Sequence, residues 1–267
     1  MLISEQFIDG APFVMYLGDN LLNRGIGEFV EEFKREKPAA QILLTRVPDP
    51  QMFGVAELSG GRVVRLVEKP KEPKSDLALV GVYMFAQQVF EAVKSIKPSF
   101  RNELEITDAI QHLIDRGLEV RPHLVQGWWK DTGKLEDMLE ANRLILDTME
   151  RRIDGTVDEG SRIEGKVVIE AGASVERSVV RGPVVIGAGA AISGAYIGPF
   201  TSIGANVKIR ETEIEHSIVL EGATITDIAN RIEDSLIGRN VSIYRLPVRP
   251  SAYRFMLGDN SEVGIRW

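Results

Sequence analysis

Asp19 is the carboxylate of this sequence whose setting most directly suggests chemistry. It stands in Pro12-Phe13-Val14-Met15-Tyr16-Leu17-Gly18-Asp19-Asn20, where an apolar-leaning run stops at turn residues. A run that short, without alternation, reads as a strand buried on both faces. Gly18 lets the backbone turn sharply, so Asp19 emerges at the carboxyl end of a central strand, where ligands bind in open α/β sheets. A carboxylate there is suited to hold a metal ion against the phosphates of a nucleotide. Asp and Asn also favour plain turns, so a strand-ending turn is the competing reading.

The totals narrow the setting. The chain has 267 residues, enough for one large or two medium domains. Its formal charge of −7 argues against non-specific nucleic-acid binding. It leaves room for a phosphorylated small substrate, which needs only a few local cations. With no cysteine there is no disulfide, thiolate zinc site or cysteine nucleophile. No apolar run approaches the roughly 20 residues of a membrane span. The N-terminus has no basic region or secretory apolar core, so a cytoplasmic protein is expected.

The elements that must position Asp19 follow from hydrophobic spacing. Residues 2–7 read as the tail of an amphipathic helix closed by Asp9-Gly10. Helices are expected over 25–37, 89–96, 107–116 and 134–152, and strands over 41–47, 77–85 and 120–125. Residues 53–58 and 62–67 flank Ser59-Gly60-Gly61, a hairpin signal. Gly81 inside its strand suggests close approach of a ligand or another backbone. Strands alternating with helices imply an α/β domain with a largely parallel sheet.

After Ile153 the helical period vanishes. Large aliphatics recur at Ile163, Ile169, Val175, Ile186, Ile192, Ile197, Ile203, Ile209, Ile214, Leu220, Ile232, Ile237 and Ile243. The step is mostly six, with slips to five and some larger gaps, which is the signature of a hexapeptide parallel β-helix. Three hexads make one coil, with the aliphatics stacked inside and Gly and Asn at tight turns. A β-sandwich would need period-two alternation instead. A further strand is expected at 253–257, in a tail that caps the open coil.

Six motifs in order resemble the sugar-1-phosphate nucleotidyltransferases, in particular the long-form glucose-1-phosphate thymidylyltransferases. They are Tyr16-Leu17-Gly18-Asp19-Asn20, Phe53-Gly54-Val55, Val67-Glu68-Lys69-Pro70, Val80-Gly81-Val82-Tyr83, Arg101-Asn102-Glu103-Leu104-Glu105-Ile106-Thr107-Asp108 and Trp129-Lys130-Asp131-Thr132-Gly133. The resemblance covers nearly the whole chain. It implies an incomplete Rossmann-like nucleotidyltransferase domain over 1–152 and a left-handed parallel β-helix with a C-terminal cap over 153–267. It implies nucleotidyl transfer from a nucleoside triphosphate, dTTP, to a sugar 1-phosphate, glucose 1-phosphate, with release of pyrophosphate.

The same resemblance implies the roles. Asp19 and Asp131 are the carboxylates for Mg2+. Glu68 accepts hydrogen bonds from sugar hydroxyls. Lys69 and Arg101 hold the sugar's phosphate, one by point charge and one by a bidentate fork. Gly54 and Gly81 lie against the sugar ring, and Trp129 is a candidate sugar contact. Four of these assignments have a plainer alternative. Lys69 fits a solvated basic turn with Lys71 and Lys74, and Arg101 fits a surface ion pair with Glu103. Asp131 fits a helix N-cap, and the tryptophans fit core.

The family's Gly-x-Gly-Thr-Arg-x-x-Pro loop, which binds the triphosphate, has no counterpart here. Phe53 stands where Tyr is common, and Val80 where Thr is common. The resemblance therefore implies that this chain alone is weak or inactive, with the outer edge of the Asp19 strand uncovered.

Two other functions remain open from the sequence. β-helices often serve acyl-CoA-dependent acyltransferases with a His base, and His216 is the histidine of the repeat region. The β-helix also suits a non-catalytic, regulatory homo-oligomer.

Overall fold

The computed structural model describes residues 1–246, 255–258 and 261–265, apart from the side chain of Leu135. The chain divides into two compact units, Met1–Ala141 and Asn142–Trp267.

The first unit opens with a short 3₁₀ turn, Leu2–Ser4, and α1 (Glu5–Ile8), neither burying a residue. Then come β1 (Phe13–Tyr16), β2 (Asn20–Leu22), α2 (Gly27–Glu36), β3 (Ala40–Arg46), β4 (Gly54–Ser59), β5 (Arg62–Glu68) and β6 (Leu77–Phe85). They are followed by α3 (Gln88–Ser95), α4 (Ile106–Asp115), β7 (Val120–Leu124), β8 (Trp129–Asp131) and α5 (Leu135–Asp147), within which the division at Ala141 falls. The main sheet runs β5-β4-β6-β3-β7, and β1 also pairs with β6.

This sheet is the middle of three layers. On one face Val89 and Phe90 of α3 and Ile110 and Leu113 of α4 join Ile42, Leu44, Leu79, Tyr83 and Phe85. On the other, Phe29 and Phe33 of α2, one helical turn apart, cover Leu43, Val80, Val82 and Met84. Successive residues of β6 therefore serve opposite cores, which is why the whole strand is apolar and buried.

Three expectations need correction. The sheet is not largely parallel: β1–β6, β3–β6, β4–β5 and β4–β6 are antiparallel, and only β3–β7 is parallel. The hairpin turn at Gly60-Gly61 returns the chain directly, so no crossover is needed there. The strand before Asp19 is not buried on both faces. Phe13 and Met15 join the α3/α4 core, whereas Val14 and Tyr16 are 39% and 44% exposed. β1 has one strand partner among the described residues, and α2 covers β3 and β6 without reaching its outer face. Finally, α5 stops at Asp147 rather than 152, because Arg152–Ile153 is already a strand, paired with Val168–Ile169.

The second unit is a parallel β-helix with three ladders. Inside it stack Val157, Val175, Ile192, Ile209, Ile225 and Ile243 in one ladder. Ile163, Val180, Ile197 and Ile214 stack in the second, and Ile169, Ile186, Ile203, Val219 and Ile237 in the third. Ile169, Ile186 and Ile203 are successive third-ladder partners, so a coil takes 17 residues there, not three full hexads. In three successive coils a five-residue step falls at the corner between the first two ladders: Val175 to Val180, Ile192 to Ile197, Ile209 to Ile214. Arg177, Gly194 and Glu211 take positive φ at that tight corner. Leu220, expected inside, is 37% exposed, and its neighbour Val219 fills the core position. Of the strand expected over 253–257, Tyr253 and Arg254 lie outside the described residues, and 255–257 carry no strand.

Candidate active site

Gly18 and Asp19 form the turn between β1 and β2, with the Asn20 amide donating to the Leu17 carbonyl at 3.1 Å. β2 then pairs with β8 in a two-stranded antiparallel ribbon that sets Asn20 opposite Asp131. Nothing in the sequence spacing announced this ribbon, because its strands are three residues long and 109 apart. The next residue, Thr132, donates its amide and its hydroxyl to the Asp19 carbonyl, each at 2.8 Å. Asp19 and Asp131, far apart in sequence, are thereby held as neighbours.

Their electrostatics fit a cation. The Asp131 carboxyl is pushed above the usual carboxylate range by burial, then by the negative charges of Asp19 and Asp137. A hydrogen bond from the Gly133 amide and the charge of Lys130 partly oppose this. Asp131 Oδ1 is buried without a hydrogen-bond partner. An orphaned carboxylate oxygen beside a second carboxylate suits a hard divalent ion of the Mg2+ type. Such an ion needs only one or two carboxylates and completes its shell with water and phosphate oxygens. No group of three or more metal-ligating side chains occurs among the described residues.

Glu68, Arg101 and Gly54 form a second cluster. Glu68 ends β5 opposite Gly54, which begins β4. Thr107, in the first turn of α4 and only 1% exposed, donates its hydroxyl to Glu68 Oε2 at 3.2 Å. Arg101 Nη1 lies 3.6 Å from Glu68 Oε1 and 3.5 Å from Glu105 Oε1, and Nη2 lies 2.8 Å from Glu103 Oε2. Burial and then Glu105 raise the Glu68 carboxyl, while Thr107, Lys69 and Arg101 pull it down. A Cβ on Gly54 would sit 2.7 Å from Thr107 Cγ2 and 3.1 Å from Glu68 Oε2, so the cluster requires glycine there. Beside it lies a groove of about 480 Å³ bordered by Glu68, Ser99, Phe100, Glu105 and Asp108. Lys69 is exposed, with its backbone left-handed at φ 40°, and among the described residues it makes no salt bridge.

A chain of contacts links the clusters. The Lys69 amide donates to the Phe53 carbonyl at 3.0 Å. The Phe53 ring meets Trp129 edge-on, with centroids 5.4 Å apart. Trp129 Nε1 donates to Asn20 Oδ1 at 2.7 Å, and Asn20 Nδ2 donates to Asp19 Oδ1 at 2.8 Å. Between the clusters, the buried Tyr83 phenol is raised first by its burial and then by the charges of Glu68 and Asp19. No hydrogen bond or ion pair among the described residues joins Arg101 directly to either aspartate.

The sequence reading passed over Asn20, Thr107 and Glu105. Each lies inside a quoted motif, but only burial of a polar side chain marks it out, and burial is a tertiary property. Gly81, expected to lie against a ligand or another backbone, is instead approached closely by the Asn20 side chain. His216 sits at a β-helix corner with φ 43°, half-exposed, its Nδ1 bonded to Asp234 and its ring edge-on to Phe200.

A family model described as "Nucleotidyl transferase" matches residues 1–148. The chain is 53% identical over its whole length to a glucose-1-phosphate thymidylyltransferase of Streptomyces antibioticus, of which it covers 75%. It is 52% identical, over 99% of its length, to the enzyme of the same name from Streptomyces griseus, again covering 75%. Among solved structures, a Bacillus anthracis chain assigned as a glucose-1-phosphate thymidylyltransferase, crystallised with sucrose, aligns with a TM-score of 0.50 and 40% identity. That alignment covers 54% of this chain and 58% of the other. No helix among the described residues is long and apolar enough to cross a membrane. With its sheet held between two helical layers, its paired aspartates and these relatives, the chain belongs to the nucleotidyl transferase family.

Proposed function

We propose that this protein joins a nucleoside triphosphate to a sugar 1-phosphate, with dTTP and glucose 1-phosphate as the substrates. An oxygen of the sugar phosphate forms a bond to the α-phosphorus, while the bond from that phosphorus to the bridging oxygen of the departing pyrophosphate breaks. The products are a nucleoside-diphosphate sugar and pyrophosphate. Such a displacement asks the protein for alignment and charge neutralisation rather than covalent chemistry.

The observation that carries this reading is the orphaned Asp131 oxygen, held beside Asp19 and linked through Asn20, Trp129 and Phe53 to the Glu68–Arg101 cluster. Nucleotidyltransferases of this family generally use a divalent metal, and we take it to be Mg2+. Asp19 and Asp131 would hold it, and when bound it neutralises phosphate oxygens around the reacting phosphorus. Lys69 and Arg101 bring positive charge to the sugar's phosphate. Glu68 accepts hydrogen bonds from sugar hydroxyls, with Thr107 fixing its carboxylate. Gly54 and Gly81 make room for the Thr107, Glu68 and Asn20 side chains that shape the site, and Trp129 gives it an apolar wall. The β-helix serves assembly into a cytoplasmic homo-oligomer.

Calorimetry of glucose 1-phosphate binding, with and without Mg2+, tests the proposal. Binding that is lost in Arg101→Ala, and metal dependence that is lost in Asp131→Asn, are the expected results. A wild-type chain that binds no sugar phosphate at millimolar concentration overturns it.

A further inference from the structure

Asn20 is a buried polar side chain, 5% exposed, with both its amide oxygen and its amide nitrogen hydrogen-bonded. Its Oδ1 accepts from the Gly81 amide at 2.9 Å and from Trp129 Nε1 at 2.7 Å. Its Nδ2 donates to Asp19 Oδ1 at 2.8 Å. Its backbone carbonyl accepts the Tyr16 hydroxyl at 3.2 Å, and its backbone pairs with Asp131 across the ribbon. One residue therefore contacts the strand, the indole and the carboxylate that the proposed site needs in register.

The fit over Gly81 is sterically closed. A Cβ there would lie 2.5 Å from Asn20 Nδ2, 2.7 Å from Cγ and 2.9 Å from Oδ1. The glycine in the middle of β6 thus makes room for the Asn20 amide.

Resting on the function proposed above, we infer that Asn20 is the positioning residue of the site. By occupying one oxygen of Asp19, it turns the other toward the cation position beside Asp131. By taking the Trp129 N–H, it holds the indole against Phe53. Aspartate at position 20 would lack the donor to Asp19. Leucine would leave the Gly81 and Trp129 N–H groups buried without an acceptor.

A double-mutant cycle tests this on the full chain. Asn20→Ala removes the amide, Gly81→Ala expels it, and the double variant lets the new methyl fill the vacated space. The two effects are expected to be strongly non-additive, with coupling of at least tenfold in the unfolding equilibrium constant. In Asn20→Ala the Trp129 indole N–H resonance moves to its solvent-exposed position. Mn2+ binding to the folded double variant, read by electron paramagnetic resonance, weakens at least fivefold.

Additive unfolding effects, an unmoved indole resonance, or wild-type Mn2+ affinity in the double variant each overturn the inference. A wild-type chain that binds no Mn2+ counts against the proposed function instead. The unfolding cycle and the indole resonance still decide the role of Asn20.

Discussion

Asp131 and Asp19 are like charges held together by the backbone beside them, since Thr132 ties itself twice to the Asp19 carbonyl at 2.8 Å. The arrangement is uncomfortable without a cation, and that discomfort is measurable. The folded-state pKa of Asp131 is raised, so its charge costs stability once the pH climbs through that value. Asp131→Asn should therefore melt higher than wild type at pH 7 in EDTA. The advantage should disappear on acidification below the ordinary Asp pKa of roughly 3.9, where both states are protonated. Millimolar Mg2+ should raise the melting temperature of wild type and leave the variant unmoved. A variant that melts lower at pH 7 in EDTA speaks against this account.

Arg101 already has anionic partners, and any phosphate must compete with them. Glu103, 57% exposed, takes Nη2 at 2.8 Å. An exposed pair of this kind is worth up to about 1 kcal/mol. Glu103→Gln should thus tighten glucose 1-phosphate binding by roughly two- to fivefold. Arg101→Lys, which cannot form a fork, should weaken it by about tenfold or more. Calorimetric titration of both variants reads the comparison, and equal affinity in wild type and Glu103→Gln would remove Glu103 as a competitor.

Glu68 accepts sugar hydroxyls most strongly when ionised, and its pKa is raised by burial and by Glu105. Sugar-phosphate affinity should therefore fall on acidification at a higher pH than an ordinary glutamate would give. The Thr107 hydrogen bond opposes that rise. Thr107→Val should move the acid limb of the binding profile to still higher pH, at a stability cost of about 1–2 kcal/mol for the lost buried hydrogen bond. An acid limb at the wild-type pH would show that this bond does not tune Glu68.

The β-helix column gives a control remote from the site in sequence. Ile192 is fully buried among aliphatics of its ladder. Ile192→Ala should cost about 2–4 kcal/mol in denaturant unfolding of the second unit. His216→Ala, which removes the Asp234 hydrogen bond and the Phe200 contact at a half-exposed corner, should cost no more than about 1 kcal/mol. It should also leave sugar-phosphate binding intact. Acetyl-CoA turnover lost in His216→Ala would instead revive an acyltransferase role for the β-helix.

The period-dependent parts of the fold were legible in the sequence, and the pairing-dependent parts were not. The apolar run of β6 and the helical stripes of α2 and α4 follow from side-chain spacing, because each element buries a face defined by its own geometry. Strand direction does not follow from spacing, and β6 lies antiparallel to β3 with several elements between them in sequence. β1 looks like a central strand because its residues are apolar, yet only Phe13 and Met15 find a core. Val219 and Leu220 are chemically near-equivalent, so a one-residue slip decided which of them faced inward. In the site, the charged residues drew attention because charge is visible in a sequence. Asn20 and Thr107 act by being buried, which emerges only when β2 meets β8 and when α4 meets β5.

The five-residue corner has a consequence for how the length of the second unit can vary. Because the short step recurs at the same place in successive coils, the register repeats only after a complete turn of about 17 residues. An insertion of a single hexad would carry every later aliphatic onto a neighbouring ladder and set five-residue corners against six-residue ones. Adding or deleting a whole turn preserves all three columns. The length of this unit is therefore quantised: whole turns are the natural increment by which it can grow or shrink with its columns and corners still in register.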